Sequence, residues 1–201
     1  PVKVERELSR MRGEGEVFRN INLLKSLGSE VMYRSADILD AVSVDEFIRD
    51  VASVCGRVDM VIHGAGLDIS KALKSKTLEQ IELVYKVKVH GMKNVLASLE
   101  RYGLPAKKII GFGSVSGRFG NIAQLDYSAA NDSLAHMMRY VGHVSDTKAS
   151  VIDWAPWSEI GMAVRGSVQA TLESAGIDFI PPETGAELLE TEIYRVGSSP
   201  E

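Results

Sequence analysis

The sequence predicts an α/β fold, a doubly wound parallel sheet covered by helices on both faces. Three observations predict it. Short apolar segments alternate with segments of helical period four times over. The apolar segments, such as "VDMVIHGAG" and "AKKIIGFGSV", lack the polar alternation of a half-solvated strand, so both of their faces need cover. Residues with chemistry to offer follow them: Asp37 after the first, "HGAG" after the second and "GSVSG" after the third. That is where open parallel sheets place their ligands, and right-handed crossovers complete the doubly wound arrangement.

The elements follow in order. Residues 1–16 are a charged mixture without a clean period, an exposed helix or a linker before an α/β core over residues 17–195, the whole being one domain. Val17, Ile21, Leu24 and Leu27 stand at helical spacing, with Gly28 as the stop. "EVMYRSADI" reads as a strand. "SVDEFIRDVASVCG" reads as a helix capped by Ser43, with Glu46 completing a capping box. After the strand "VDMVIHGAG" a long helix runs from Thr77 to about Tyr102. "AKKIIGFGSV" is the next strand, the segment holding Tyr127 a helix, and "ASVIDWAPW" a further strand. "GSVQATLESAG" and "ETGAELLETEIYR" are expected helices on either side of Pro181-Pro182.

Composition narrows the function. The 201 residues are 45% apolar and 25% charged, the profile of a soluble globular protein. A net charge of −4 and a pI near 5.7 argue against nucleic acid or an anionic membrane as the main partner. Cys55, the single cysteine, rules out an internal disulfide, fits a reducing compartment and is read as a small buried hydrophobe. No apolar run approaches the ~20 residues of a membrane span, so the expected place is the cytoplasm. No metal site is expected. The opening "PVKVERELSRMRGEGE" and the closing "YRVGSSPE" look like cuts through a longer polypeptide.

Several residues could carry chemistry. "HGAG", His63 to Gly66, is either a tight turn needing small residues or a place where a flat cofactor passes close to the backbone. Asp37 is either a turn residue or a carboxylate able to accept from an adenine amino group. In the long helix Ile81, Tyr85, Lys88, Met92, Val95 and Leu99 form one face, while Glu79, Glu82, Lys86, His90 and Lys93 form the solvated one. Lys88 thus lies on the apolar stripe, where an ammonium either snorkels outward or meets a partner. Tyr127 offers that partner. A nearby cation lowers a phenol's pKa and eases proton exchange with a substrate oxygen. Asn131 lies one turn on from Tyr127 on the same face, and Ser114 or Ser116 follows the preceding strand. Serine, tyrosine, lysine and asparagine could therefore converge on one carbonyl oxygen.

Taken together, "HGAG", "YKVKVHGMKNVLASL", "GFGSVSGRFGN", "DYSAAND" and "VIDWAPWSEIGMA" resemble the ketoreductase domain of polyketide and polyunsaturated-fatty-acid synthases. That domain is a branch of the short-chain dehydrogenase/reductase superfamily, whose sheet is Rossmann-like. The resemblance runs from about Ser29 to Glu190 in order and in register. Single-domain members usually carry YxxxK, whereas here Asn131 follows Tyr127 and the lysine stands upstream in "KVHG", as in the synthase domains. The resemblance implies that Tyr127 is the proton donor and that Ser114 hydrogen-bonds the substrate carbonyl. Ser114 is preferred to Ser116 because the family keeps thirteen positions between the pair, and 127 − 114 = 13. Lys88 would contact the nicotinamide ribose and lower the tyrosine pKa, and Asn131 would complete the tetrad. Asp37, Ile38 and His63, Gly64, Ala65 and Gly66 would line the adenine and ribose side of the cofactor. Trp157 would back the substrate cleft, with Trp154 read as packing.

The implied reaction is NADPH-dependent reduction of a 3-oxoacyl thioester to the 3-hydroxyacyl thioester. Its implied partners are an acyl carrier protein that holds the substrate and other domains of the same synthase, with a homodimer left open. A non-catalytic structural domain of a synthase and a free-standing reductase are the alternatives; the retained tetrad speaks against the first and the placing of Asn131 and Lys88 against the second. The sequence also departs from the family. No GxGxxG follows a strand, and "RGEGEVF" offers only a GxG in a charged segment. A first βαβ unit is therefore expected upstream of Pro1, together with the basic residue that selects NADPH over NADH. "GLDISK" lacks the LDD motif of one stereochemical class, and Phe119 stands where the other class often has tryptophan.

Overall fold

The structure is a computed structural model that describes residues 2–162 and 176–195. It divides into two compact units, Pro1–Ala36 and Asp37–Glu201. The first unit holds one helix, α1 (Val2–Ser26), which runs through the segment read as an exposed helix or a linker. It ends as the glycine signal predicts, with Gly28 at φ 88°. The segment read as a strand, "EVMYRSADI", is not one: residues 29–36 enter no ladder. A strand exists only through its pairing, and the three described strands pair with one another. Met32 and Tyr33 are accordingly exposed.

The second unit carries the remaining elements. They are α2 (Ala41–Cys55), β1 (Met60–His63), a 3₁₀ turn (Leu73–Ser75), α3 (Leu78–Arg101), β2 (Lys108–Ser114), α4 (Ser116–Phe119), α5 (Leu125–Val144), β3 (Lys148–Trp154) and α6 (Pro182–Arg195). β1, β2 and β3 lie side by side in that order, all parallel, with Ile110 of β2 opposite Ile62 and Ser150. The expected helix over "GSVQATLESAG" falls almost wholly outside the described residues.

Each helix start has a local cause. α2 begins earlier than expected, because Asp40 and not Ser43 is the N-cap, accepting from Val42 N–H at 3.1 Å. Gly56, at φ 65°, ends it. The last residue of α2, Cys55, is exposed and not buried as the sequence suggested, since the stripe facing inward is set by Val44 and Ile48. α3 has the capping box in full: Thr77 accepts from Gln80 N–H, and the Gln80 side chain accepts from Thr77 N–H.

Alternation along β2 sorts the layers. Ile109 joins Val44, Ile48, Met92, Leu99, Leu134 and Met138 in the core between the sheet and α2, α3 and α5. Ile110, also fully buried, faces the other way, as does Lys108, whose ammonium donates to the Ile193 carbonyl of α6 at 2.7 Å. Helices therefore cover both faces. The carboxyl end of β2 meets the start of α5 at one edge of this sandwich, where Ser114 neighbours Tyr127.

Candidate active site at the carboxyl end of β2

Lys88 is placed by the phase of α3. Its side chain points inward with the apolar stripe and is 4% exposed, whereas Lys86 pairs with Glu82 on the outer face at 2.6 Å. The Lys88 ammonium donates to the Phe112 carbonyl at 2.8 Å, two residues before Ser114. Burial lowers its pKa to about 8. Gly66 owes its identity to this lysine: a Cβ there would lie 2.9 Å from Lys88 Nζ. A Cβ on Gly64 would make ordinary van der Waals contact with the Phe112 ring, at 3.9 Å.

His63 ends β1, and its ring turns inward. Its Nε2 hydrogen-bonds the main-chain carbonyl of Lys88 at 2.9 Å, and since a carbonyl only accepts, Nε2 carries the proton. Burial holds its pKa below the usual histidine value. The imidazole therefore braces the turn of α3 that bears Lys88. Ile38 likewise faces inward: its side chain packs on Gly91, and its carbonyl accepts from Asn94 Nδ2 at 2.9 Å. Asp37 is exposed and spends Oδ1 on Leu39 N–H at 2.9 Å, leaving Oδ2 toward solvent.

Ser114, Tyr127 and Asn131 come together where β2 gives way to α4 and α5. The Ser114 and Ser116 hydroxyls hydrogen-bond each other at 2.9 Å, and Ser116 N–H donates to Ser114 Oγ at 3.2 Å, which fixes the Ser114 rotamer. Asn131 is fully buried, donates Nδ2 to the Tyr127 carbonyl at 2.8 Å and leaves Oδ1 without a protein partner. α4 approaches closely here, for a Cβ on Gly117 would lie 3.0 Å from Asn131 Cβ. The Tyr127 pKa is raised, first by burial and then by the nearby Asp68 carboxylate; hydrogen bonds from Ser114 and Asn131 act the other way and lose. This direction is opposite to the lowering expected from Lys88, whose ammonium is turned to the Phe112 carbonyl. A raised pKa keeps the phenol protonated at neutral pH, the state a proton donor needs.

Trp154 is packing, as read: its ring meets Phe112 edge-on at 5.7 Å and Trp157 at 4.9 Å. Trp157 itself lies against α6, where a Cβ on Gly185 would fall 2.3 Å from its indole. Phe119 is exposed. Sequence reasoning missed His63 as a brace for Lys88, Asp68 as a neighbour of the phenol, and Ser116 as the support of Ser114. The spacing in "GSVSG" held a signal for Ser116; the others join residues far apart in the chain.

The family model of the KR domain matches residues 7–159. The chain belongs to the KR domain family. Over its whole length the domain is 28% identical to a polyunsaturated fatty acid synthase of Thraustochytrium, of which it spans 7%. It is 31% identical over 178 residues to polyketide synthase PksN of Bacillus subtilis, spanning 84% of this chain and 3% of that one. A ketoreductase domain from the bacillaene assembly line is similar in structure at TM-score 0.75 and 29% identity, covering 88% of this chain and 43% of the other. The short chain dehydrogenase from Burkholderia cenocepacia in complex with NADP shares the fold, at TM-score 0.70 and 20% identity over 84% of this chain and 71% of the other. The parallel, helix-covered sheet is thus similar to the Rossmann-like sheets of ketoreductase and short-chain dehydrogenase structures. The KR domain makes up a small part of its curated relatives.

The residues present fit one half of a nicotinamide dinucleotide. The Lys88 ammonium has two donors left beyond Phe112, Gly64 is exposed, and the Tyr127 phenol is close to Ser114. A pyrophosphate grip is another matter. No GxGxxG occurs in the sequence, and "HGAG" leads from β1 into an irregular stretch before the 3₁₀ turn and not directly into a helix N-terminus.

Proposed function

We propose that this KR domain reduces a 3-oxoacyl thioester to the 3-hydroxyacyl thioester with NADPH, inside a polyketide or polyunsaturated-fatty-acid synthase. The observation that carries the reading is Lys88, a buried ammonium held at the carboxyl end of β2, two residues from the serine that neighbours Tyr127. A buried cation is costly unless it serves something.

The residues divide the work. Ser114 Oγ and the Tyr127 phenol donate hydrogen bonds to the β-carbonyl oxygen and polarise it. NADPH, when bound, supplies the hydride that the carbonyl carbon accepts. The electron pair of the C=O bond moves onto oxygen, and Tyr127 delivers its proton there. Lys88 offsets the charge of the phenolate left behind, and Asn131 holds the main chain of Tyr127 in place through its carbonyl. The raised phenol pKa and the Lys88 cation act at different moments: the first keeps the proton on before reaction, and the second eases its departure.

Two further assignments belong to the same proposal. The substrate arrives on an acyl carrier protein, an acidic partner, and the exposed Lys71 and Lys74 on the stretch after β1 supply local positive charge on an otherwise acidic domain. The pyrophosphate is gripped by a Gly-rich turn from a βαβ unit outside these 201 residues, which also completes the sheet. The test is to compare the isolated 201 residues with the polypeptide extended upstream. We expect the isolated chain to bind NADPH poorly in calorimetry and to reduce nothing, and the extended one to do both. Micromolar NADPH binding by the isolated chain would contradict the assignment of the grip.

A further inference from the structure

Two charged side chains outside the tetrad have no exposed area at all. Lys76 and Asp126 form an ion pair in which both side chains are 0% exposed. Lys76 immediately precedes Thr77, the N-cap of α3, and Asp126 is the second residue of α5. The pair thus joins the beginnings of the two helices that carry Lys88 and Tyr127. Asp126 Oδ1 also accepts the Tyr127 backbone N–H at 3.0 Å, so the same carboxylate fixes the main chain of the phenol-bearing residue.

Other contacts run parallel to it. Lys71 N–H donates to the Ala123 carbonyl at 2.9 Å, and Gln124 Nε2 donates to Asp68 at 2.7 Å. Gln124 is the N-cap of α5 yet makes no capping bond through its side chain, so the first turn of α5 depends on these cross-links for its position.

Stability alone does not account for such a pair. Desolvating two charges offsets most of their attraction, and an apolar pair of similar shape commonly stabilises a fold as well or better. What the ion pair adds is a directional joint of set length. We propose that Lys76 and Asp126 are positioning residues: their buried ion pair locks the first turn of α5 to the start of α3 and so holds the Tyr127 phenol in register with Ser114 and Lys88. This rests on the reading of the domain as a ketone reductase.

The test uses the complete protein that carries this domain, with NADPH and a short 3-oxoacyl thioester. Lys76→Arg and Asp126→Glu keep both charges but shift the joint, the latter by about one C–C bond, ~1.5 Å. Misplacement on that scale is expected to lower kcat by at least about tenfold, with KM for NADPH and the melting curve unchanged. The double variant Lys76→Met/Asp126→Asn strands neither charge; it is expected to fold and to be slow in the same way. Wild-type kcat in the folded double variant, or in both charge-retaining variants, overturns the proposal. So does a rate loss that tracks loss of folded protein, or a rise in KM alone. If the double variant does not fold, the charge-retaining pair decides. A wild type that binds NADPH but leaves the thioester unreduced overturns the underlying reading and this proposal with it, and is told apart by needing no variant.

Discussion

Raising the pH is expected to disarm Lys88 before it touches Tyr127. Burial brings the Lys88 pKa down to about 8, so the side chain is about nine-tenths cationic at pH 7 and about one-tenth at pH 9. The other titratable groups around it do not change charge in that window. His63 is held below its usual value by burial, and Tyr127 is pushed above its own. The quantity to measure is kcat/KM for NADPH in the upstream-extended protein, since it reports the free enzyme. If the rate needs the cation, kcat/KM falls about tenfold between pH 7 and pH 9, in proportion to the cationic fraction. Lys88→Met should be slow throughout and should lack this limb. A flat wild-type profile through pH 9, or the same limb in Lys88→Met, would refute the role given to this ammonium.

Other consequences follow from the same contacts. Lys88→Met should also stabilise the fold, because a buried cation is removed. The folded pKa lies below the ordinary lysine value of 10.5, so between about 8 and 10.5 the unfolded chain binds the extra proton and stability rises with pH. At pH 7 both states are protonated and the folded state bears the whole cost, about 3 kcal/mol for this shift, so the gain in the melting comparison is largest there and vanishes above pH 10.5. Ser114→Ala removes a donor to the carbonyl oxygen and should cost about 10²-fold in kcat with KM for NADPH unchanged, measured by NADPH absorbance. Gly66→Ala places a methyl 2.9 Å from Lys88 Nζ, at the flexible end of a side chain. It should leave the melting curve near wild type while lowering kcat/KM, and unchanged kinetics would show that Lys88 has room to spare.

Much of the layout was readable because it is local. Helical phase put Lys88 in register with Met92 and Leu99, on the stripe that the structure buries. Thr77 declared the start of α3 through its own side chain. The failures were non-local or competitive. "EVMYRSADI" has the residues of a strand, but strand formation needs a ladder partner that no window of sequence contains. Ser43 lost to Asp40 because two cap-forming residues stand three apart, and the sequence does not say which accepts first. Cys55 looked like a core residue by type, yet it lies at the exposed end of α2. The Tyr127 pKa went the other way because burial, a property of the whole fold, outweighs its hydrogen-bonding neighbours. Lys76 and Asp126 are fifty residues apart, and nothing in either neighbourhood predicts that they meet.

The central claim is that Tyr127 donates the proton in a ketone reduction. The most direct measurement is turnover of a 3-oxoacyl thioester by Tyr127→Phe in the upstream-extended protein, beside wild type, with NADPH affinity measured separately. The loss of one hydroxyl leaves packing intact, so the account predicts a fall in kcat of about 10²- to 10⁴-fold with NADPH affinity preserved. Turnover near the wild-type rate would contradict it.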